Sequence, residues 1–401
     1  MQLSAKMVRE RLAHMKPRLT NCSLETSRKG QNAVGELMRA VHHGQVRVKR
    51  HDFENFEGAW VLPDDPRRDG AILYLHGGGY TCGGLEYALG FGAALADECG
   101  AKVFCAAYRL APEFPFPAAV EDAAQAYEYL LKKGYAPEKI SLCGESAGGG
   151  LCFALCLYLR QQGLSLPGSI VAISPWTDLT FSGEGFETNK EWDVSLSREQ
   201  LGFYAQCYSD ATENPLVSPL LGDLKKFPPS LIFVGGDEIL RSDSEMLHSK
   251  LLKQGNVSQL SVHPGRRHAY LLYGLNEDRE DWVTMNAFLS KYLSRERKLR
   301  WMRLDNAAKI YPAALRQSWS NVFRLSVTLT EEIDVAVLQS ALDVTVRRFP
   351  SMCVRLRRGL FWYYFQQRER APAVREEISY PVTRMSRREI RTCAFRVIVY
   401  E

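Results

Sequence analysis

A series of short, mainly apolar runs constrains this chain more than any other feature. They are Ala71–Leu75, Val103–Ala107, Lys139–Cys143, Ser169–Ile173 and Ser230–Val234. Each is too short for a helix that crosses a core, and a half-exposed strand would alternate apolar with polar residues. Between them lie segments with helical spacing: Leu85–Cys99, Ala118–Lys133, Ala147–Gln162 and Ser242–Gln254. Gln259–Val262 then reads as another strand and Glu280–Leu293 as another helix. Strands buried on both sides and separated by helices predict an α/β fold: a mainly parallel sheet covered on both faces.

The flanks read differently. Residues 1–44 repeat Val8, Leu12, Met15 and then Val34, Leu37, Met38, Val41 at helical spacing. Val46 and Val48 alternate with Arg47 and Lys49 as in a strand, and Phe56–Leu62 reads as its neighbour. The strand–helix rhythm lapses at Thr180–Pro219, where Ser197–Tyr208 reads as an inserted helix; inserts at strand ends commonly shape a binding site. It stops altogether after Ser294. Residues 295–401 carry a net charge of +10, against −5 for the rest, so two segments of opposite sign meet there. Arg295–Arg300 reads as a linker, Asn321–Thr328 as a strand, Asp334–Arg348 as an amphipathic helix and Leu360–Gln366 as an aromatic strand, a separate α+β segment.

Composition removes several function classes. With 46% hydrophobic and 24% charged residues, the 401-residue chain is neither disordered nor a rod. Its longest strongly apolar stretch, Leu151–Leu159, falls far short of the roughly 20 residues a spanning helix needs, so no integral membrane segment is expected. No secretory leader is visible at the start. The ten cysteines show no C-x-x-C pair and mostly lie in apolar runs, which argues against a metal site and for a reducing compartment, the cytoplasm. The basic C-terminal segment lacks a nucleic-acid-binding motif, so no nucleic-acid partner is expected.

Chemistry concentrates in a few loops. Gly144-Glu145-Ser146-Ala147-Gly148 follows a strand and opens a buried helix. In that setting a serine is lifted onto a helix N-terminus, and small neighbours let strand and helix approach. His76-Gly77-Gly78-Gly79-Tyr80 follows another strand; backbone N–H groups of Gly78 and Gly79, with that of Ala147, are candidates for an oxyanion hole. His76 is expected to anchor this loop. A serine nucleophile needs a base and the base an orienting acid. Of the eight histidines, His268 lies in a loop just past a parallel strand, at the sheet edge that carries Ser146. Gly235-Gly236-Asp237-Glu238 directly follows the strand Ser230–Val234, and Asp237 is the preferred acid, with Glu238 and Asp243 as rivals. The order Ser146…Asp237…His268 is that of an α/β hydrolase.

Residues 45–293 resemble the hormone-sensitive-lipase-like esterases of the α/β-hydrolase superfamily. The resemblance rests on His76–Tyr80, Tyr108-Arg109-Leu110-Ala111-Pro112-Glu113, Gly144–Gly149, Ser174-Pro175-Trp176-Thr177-Asp178-Leu179, Asp237 and His268. It implies hydrolysis of small to medium acyl esters through a covalent acyl-enzyme, with no metal or organic cofactor. It also implies a helical cap built from residues 1–44 and the Thr180–Pro219 insert, over a catalytic domain of residues 45–294. Two departures from the family pattern are Glu145, where many relatives carry Asp, and Ala269, where relatives often have glycine. Arg109 and Glu113 are expected to form an ion pair that braces the site. The segment from Leu304 is similar to the opening of condensation-domain or alcohol-acetyltransferase-like proteins, on Arg303–Ala307, Ala341-Leu342-Asp343 and Arg348-Phe349-Pro350. That family's catalytic histidine has no counterpart here, since no histidine follows His268. Two other readings remain: a hydrolase fold that binds a small ligand without turning it over, and the hydrolase module of a longer acyl-transfer protein.

Overall fold

The computed structural model describes residues 4–294 except 21 and 65, together with 301–303, 325–349, 351–358, 363–368, 371–376, 385, 389 and 393–400. Two compact units emerge, Met1–Arg295 and Glu296–Glu401.

The first unit begins with helices α1 (Ala5–Thr20) and α2 (Leu24–Val41), the second capped by Ser23, whose side chain accepts from the Thr26 N–H. An eight-stranded sheet follows in the order β1-β2-β4-β3-β5-β6-β7-β8. Its strands are β1 (Val46–Asp52), β2 (Glu57–Pro63), β3 (Ala71–Leu75), β4 (Lys102–Ala107), β5 (Ile140–Glu145), β6 (Ser169–Ile173), β7 (Ser230–Gly235) and β8 (Ser258–His263). β1–β2 and β2–β4 are antiparallel; every pairing from β4 to β8 is parallel. The mainly parallel sheet read from the apolar runs is thus present, with charged β1 at one edge, where Arg47, Lys49 and Arg50 discourage further pairing.

Strand side chains alternate between two cores. Leu73 and Leu75 of β3, Ile170 and Ala172 of β6 and Ile232 of β7 face one, with helices α4 (Ala118–Lys132) and α5 (Ala147–Gln161). Ile72, Tyr74, Val171, Ile173, Leu231 and Phe233 face the other, with α3 (Leu85–Cys99) and α9 (Arg279–Leu293). The insert between β6 and β7 holds the short α6 (Gly185–Thr188) and α7 (Arg198–Tyr208), with Ser197 capping the latter; α8 (Arg241–Lys253) joins β7 to β8. α6 carries no sequence pattern of its own, because four residues give no period. Helix α1 buries Ala5 and Val8 against Leu275.

The second unit contains a three-stranded antiparallel sheet, β10 (Val354–Arg358), β11 (Tyr363–Gln367) and β9 (Trp301–Arg303) in spatial order, and helix α10 (Val335–Arg348) capped by Asp334. Strands β12 (Arg375–Glu376) and β13 (Ile398–Val399) pair separately. The expected linker Arg295–Arg300 lies outside the described residues. So do positions 321–324 of the expected strand Asn321–Thr328, and Leu325–Thr328 are not in a strand. Residues 304–307 and Pro350, which carry part of the condensation-domain resemblance, also lie outside them.

Candidate active site

Ser146 stands at the turn from β5 to α5 with φ 54° and ψ −124°, a left-handed conformation that costs a non-glycine residue energy. The strain is sustained by close packing. A Cβ on Gly144 would lie 2.3 Å from the Gly148 carbonyl oxygen, and one on Gly148 would lie 2.1 Å from that of Leu75. The Ser146 N–H donates to Ile173 and its carbonyl accepts from Trp176, so β6 fixes the turn from both ends. The side chain reaches the surface only slightly, and Ala147 contributes the first N–H of α5, which has no partner inside the helix.

The loop after β3 packs against this serine. A Cβ on Gly77 would sit 3.0 Å from that of Ser146. Gly78 and Gly79 both take positive φ, 111° and 62°. The Tyr204 ring of α7 lies so close over Gly79 that a Cβ there would come within 2.3 Å of it. Buried Glu145 tethers the loop: its Oε1 accepts from the Gly77 N–H at 2.6 Å and its Oε2 from the Tyr74 hydroxyl at 2.6 Å. Burial pushes this carboxyl up to about 7, against the opposing hydrogen bonds from Tyr74, Gly77 and Tyr87. His76 does anchor the loop. Its ring stacks on Tyr108, its Nδ1 meets the Gly77 carbonyl at 2.7 Å, and burial lowers its pKa to about 4, so it stays neutral at ordinary pH.

The loop bearing His268 leaves β8, crosses the end of β7 and reaches β6. The Asp237 N–H donates to the Arg266 carbonyl on the way, and the Ala269 N–H donates to the Ser174 hydroxyl at 3.0 Å. Ser174 directly follows β6, the strand hydrogen-bonded to β5, which ends just before Ser146. Strands lie about 4.8 Å apart, so the imidazole loop is brought to within one strand of the serine turn.

The carboxylate that meets His268 is not the one preferred from sequence. His268 Nδ1 meets Glu238 Oε2 at 2.6 Å, and Glu238 is fully buried. The other oxygen, Oε1, accepts from the Ser174 hydroxyl at 2.7 Å and the Gly235 N–H at 2.5 Å. Asp237, the preferred candidate from sequence, faces away: its carboxylate pairs with Arg9 of α1 and accepts from the Gly265 N–H at 3.1 Å. Two adjacent residues at a turn point to different sides. The Glu238 side chain folds back over the end of β7 and meets the imidazole from beneath, a direction that chain position alone does not give. Asp243 is committed elsewhere, its Oδ2 accepting from the N–H groups of Thr177 and Asp178. Burial lowers the His268 pKa, but the charge and hydrogen bond of Glu238, helped by the charges of Asp193 and Glu145, outweigh it and leave the imidazole raised above its usual 6.5.

Arg109 and Glu113 also part company. Arg109 forks onto buried Asp122, with bonds of 2.7 to 3.1 Å, whereas Glu113 pairs with Arg28 of α2 at 2.7 Å. Arg28 also donates to the Thr81 and Ala111 carbonyls, so the N-terminal helices are fastened to the loop beyond the glycines. His263 pairs with Asp281 at 2.8 Å and His248 with Ser258 at 2.8 Å, both away from the serine's partners. Among the described residues no group of three or more His, Cys, Asp or Glu side chains is arranged to hold a metal ion, and no helix is long and apolar enough to cross a membrane.

Residues 72–272 match the family model described as the alpha/beta hydrolase fold. An acetyl-hydrolase of Streptomyces hygroscopicus is 41% identical over 266 residues, covering 65% of this chain and 86% of the relative. An esterase of Acinetobacter venetianus is 36% identical, covering 45% of this chain and 60% of the relative. Among solved structures, a hormone-sensitive lipase from a metagenome library superposes with a TM-score of 0.67 at 30% identity, over 73% of this chain and all of the other. An esterase/lipase from an uncultured bacterium gives a TM-score of 0.63 at 32% identity, over 70% of this chain and 98% of the other.

Proposed function

Since this chain belongs to the hormone-sensitive-lipase-like esterases of the α/β-hydrolase superfamily and is a carboxylic-ester hydrolase, we propose that it works through a covalent acyl-enzyme on Ser146. The observation that carries the reading is the 2.6 Å contact between His268 and buried Glu238, on the sheet edge where Ser146 is held in a strained turn. Ser146 Oγ attacks the ester carbonyl carbon while His268 Nε2 takes its proton. Glu238 holds the opposite nitrogen's N–H, fixes the tautomer and stabilises the imidazolium. The former carbonyl oxygen carries the negative charge of the tetrahedral intermediate and is met by the N–H groups of Gly78, Gly79 and Ala147. One such donor is worth about 3–4 kcal/mol in the transition state. Collapse breaks the bond to the alkoxy oxygen, which leaves as alcohol with the proton from His268. Water, deprotonated by the same imidazole, then attacks the acyl-serine and releases the acid.

Two features support small to medium acyl groups. The Tyr204 ring packs on Gly79 and limits the space above the oxyanion loop. The Streptomyces relative bears the name acetyl-hydrolase. A fluorophosphonate probe should label Ser146. Ser146→Ala should lose labelling and lower p-nitrophenyl acetate turnover by at least about 10⁴-fold. Turnover that survives in this variant rejects the mechanism.

A further inference from the structure

The turn that carries Glu238 is gripped from the insert between β6 and β7. Asn189, the residue that ends α6, donates from its single Nδ2 to two carbonyls of this turn, Gly236 at 3.0 Å and Glu238 at 2.9 Å. Asp193, almost fully buried, accepts the Ile239 N–H on Oδ2 at 2.9 Å. Its Oδ1 meanwhile accepts the N–H groups of Ser195 and Leu196, which folds the insert around it. The carbonyl of Glu238 and the N–H of Ile239 belong to one planar peptide unit. Both polar ends of that unit are therefore held by side chains of the insert. On the other side, the N–H groups of Gly236 and Asp237 are taken by the carbonyls of His263 and Arg266. A planar unit hydrogen-bonded at both ends resists rotation, and together with the preceding unit it sets the direction of the Glu238 Cα–Cβ bond.

We propose that Asn189 and Asp193 are positioning residues that lock the Glu238–Ile239 peptide unit and so aim the Glu238 carboxylate at His268. The insert then serves as part of the frame of the catalytic acid as well as a cover for the site. This rests on the serine mechanism proposed above and deepens it. The Asn189 amide and both Asp193 carboxylate oxygens are spent on backbone groups of this turn and of the insert, so their loss should act on the chemical step and spare substrate binding.

The test is a double-mutant cycle on the full chain. Asn189→Ala is measured alone and in a Glu238→Ala background, and Asp193→Asn is treated in the same way, each on the alkaline plateau of the pH profile, where the direct effect of the Asp193 charge on the His268 pKa does not enter. Alone, each should lower kcat for p-nitrophenyl acetate by about 10- to 100-fold, as misplacement of a catalytic group by about 1 Å does, with KM within about 3-fold. In the Glu238→Ala background the further loss should shrink to less than about 2-fold, because the carboxylate to be aimed is gone. Melting curves identify a variant that has unfolded, and the other position then carries the cycle. Equal losses in both backgrounds, or a change confined to KM, overturn the proposal. Ser146→Ala separates this from failure of the mechanism: residual turnover there sinks the serine reading itself, whereas an inactive Ser146→Ala with additive Asn189 losses sinks only the positioning role.

Discussion

The turn after β5 and the turn after β7 lie two strands apart on one sheet edge, and each carries a side chain of the proposed mechanism. They are held by different means. The serine turn is shaped mainly by steric contact: Gly144 and Gly148 touch across it, Gly148 also presses on the backbone of Leu75 and His76, and Ser146 is hydrogen-bonded to Ile173 of β6 and to Trp176 just beyond it. The carboxylate turn draws its geometry from far along the chain, from Asn189, Asp193, His263, Arg266 and Ser174. Local sterics write themselves into a motif, because only certain residue types fit. Long-range hydrogen bonds to backbone leave no such mark, because almost any residue can present an N–H or a carbonyl.

The contrast can be broken most directly at Gly148. Gly148→Ala places a methyl group against the backbone of Leu75 and His76, which cannot move as a flexible side chain would. Fluorophosphonate labelling should vanish, with stability reduced by about 3 kcal/mol or more in a denaturant titration. Normal labelling of a fully stable variant would mean that the serine turn is not set by contact.

At the other turn, adjacent carboxylates should behave as strangers. Glu238→Gln should lower kcat by about 10³- to 10⁴-fold, since the imidazole loses the charge that fixes its tautomer. Asp237→Asn removes a partly exposed pair with Arg9, worth at most about 1 kcal/mol, and should change kcat by less than about 5-fold. Steady-state kinetics that reversed this ranking would return the acid role to Asp237.

The pH profile sharpens the same point. Catalysis needs the neutral imidazole, and the folded His268 pKa lies above 6.5 despite burial, owing first to Glu238 and then to Asp193 and Glu145. The acidic limb of kcat/KM should therefore be displaced upward from the ordinary histidine value of 6.5. Any residual activity of Glu238→Gln should show that limb displaced to lower pH, because burial is then less opposed. An unmoved limb would remove His268 as the titrating base.

The smallest effect is expected at Ala269, which takes φ 50°. Ala269→Gly relieves a left-handed conformation at some cost in chain entropy, and should stabilise the fold by about 0.5–1 kcal/mol in thermal unfolding.

This division explains what could be read in advance. The apolar runs gave nearly every strand of the sheet within a residue or two, because a strand buried on both faces tolerates little else. The turns at Gly144–Gly148 and His76–Tyr80 were legible for the same steric reason, and the place of His268 on the same sheet edge was legible from its position past a parallel strand. The choice between Asp237 and Glu238 was not legible, since both occupy the right edge and only the fold of the turn selects one. Asn189 and Asp193 left no signal, because they act on peptide groups through a four-residue helix end without periodicity. Arg109 was expected to pair with Glu113, a neighbour in sequence, but its partner is Asp122 on the helix that packs beneath it. Residues 295–401 followed their own pattern in part: the amphipathic helix starts within one residue of its expected position, and the aromatic strand is present from Tyr363.

Ser174 has a consequence for how the site fails. One hydroxyl donates to the Glu238 carboxylate and accepts from the N–H beside His268, so the proposed acid and base hang from a common pivot just past β6. Heat or denaturant that loosens this pivot should release the two together, in one cooperative step, leaving no regime in which the imidazole keeps its alignment after its counter-charge has drifted away.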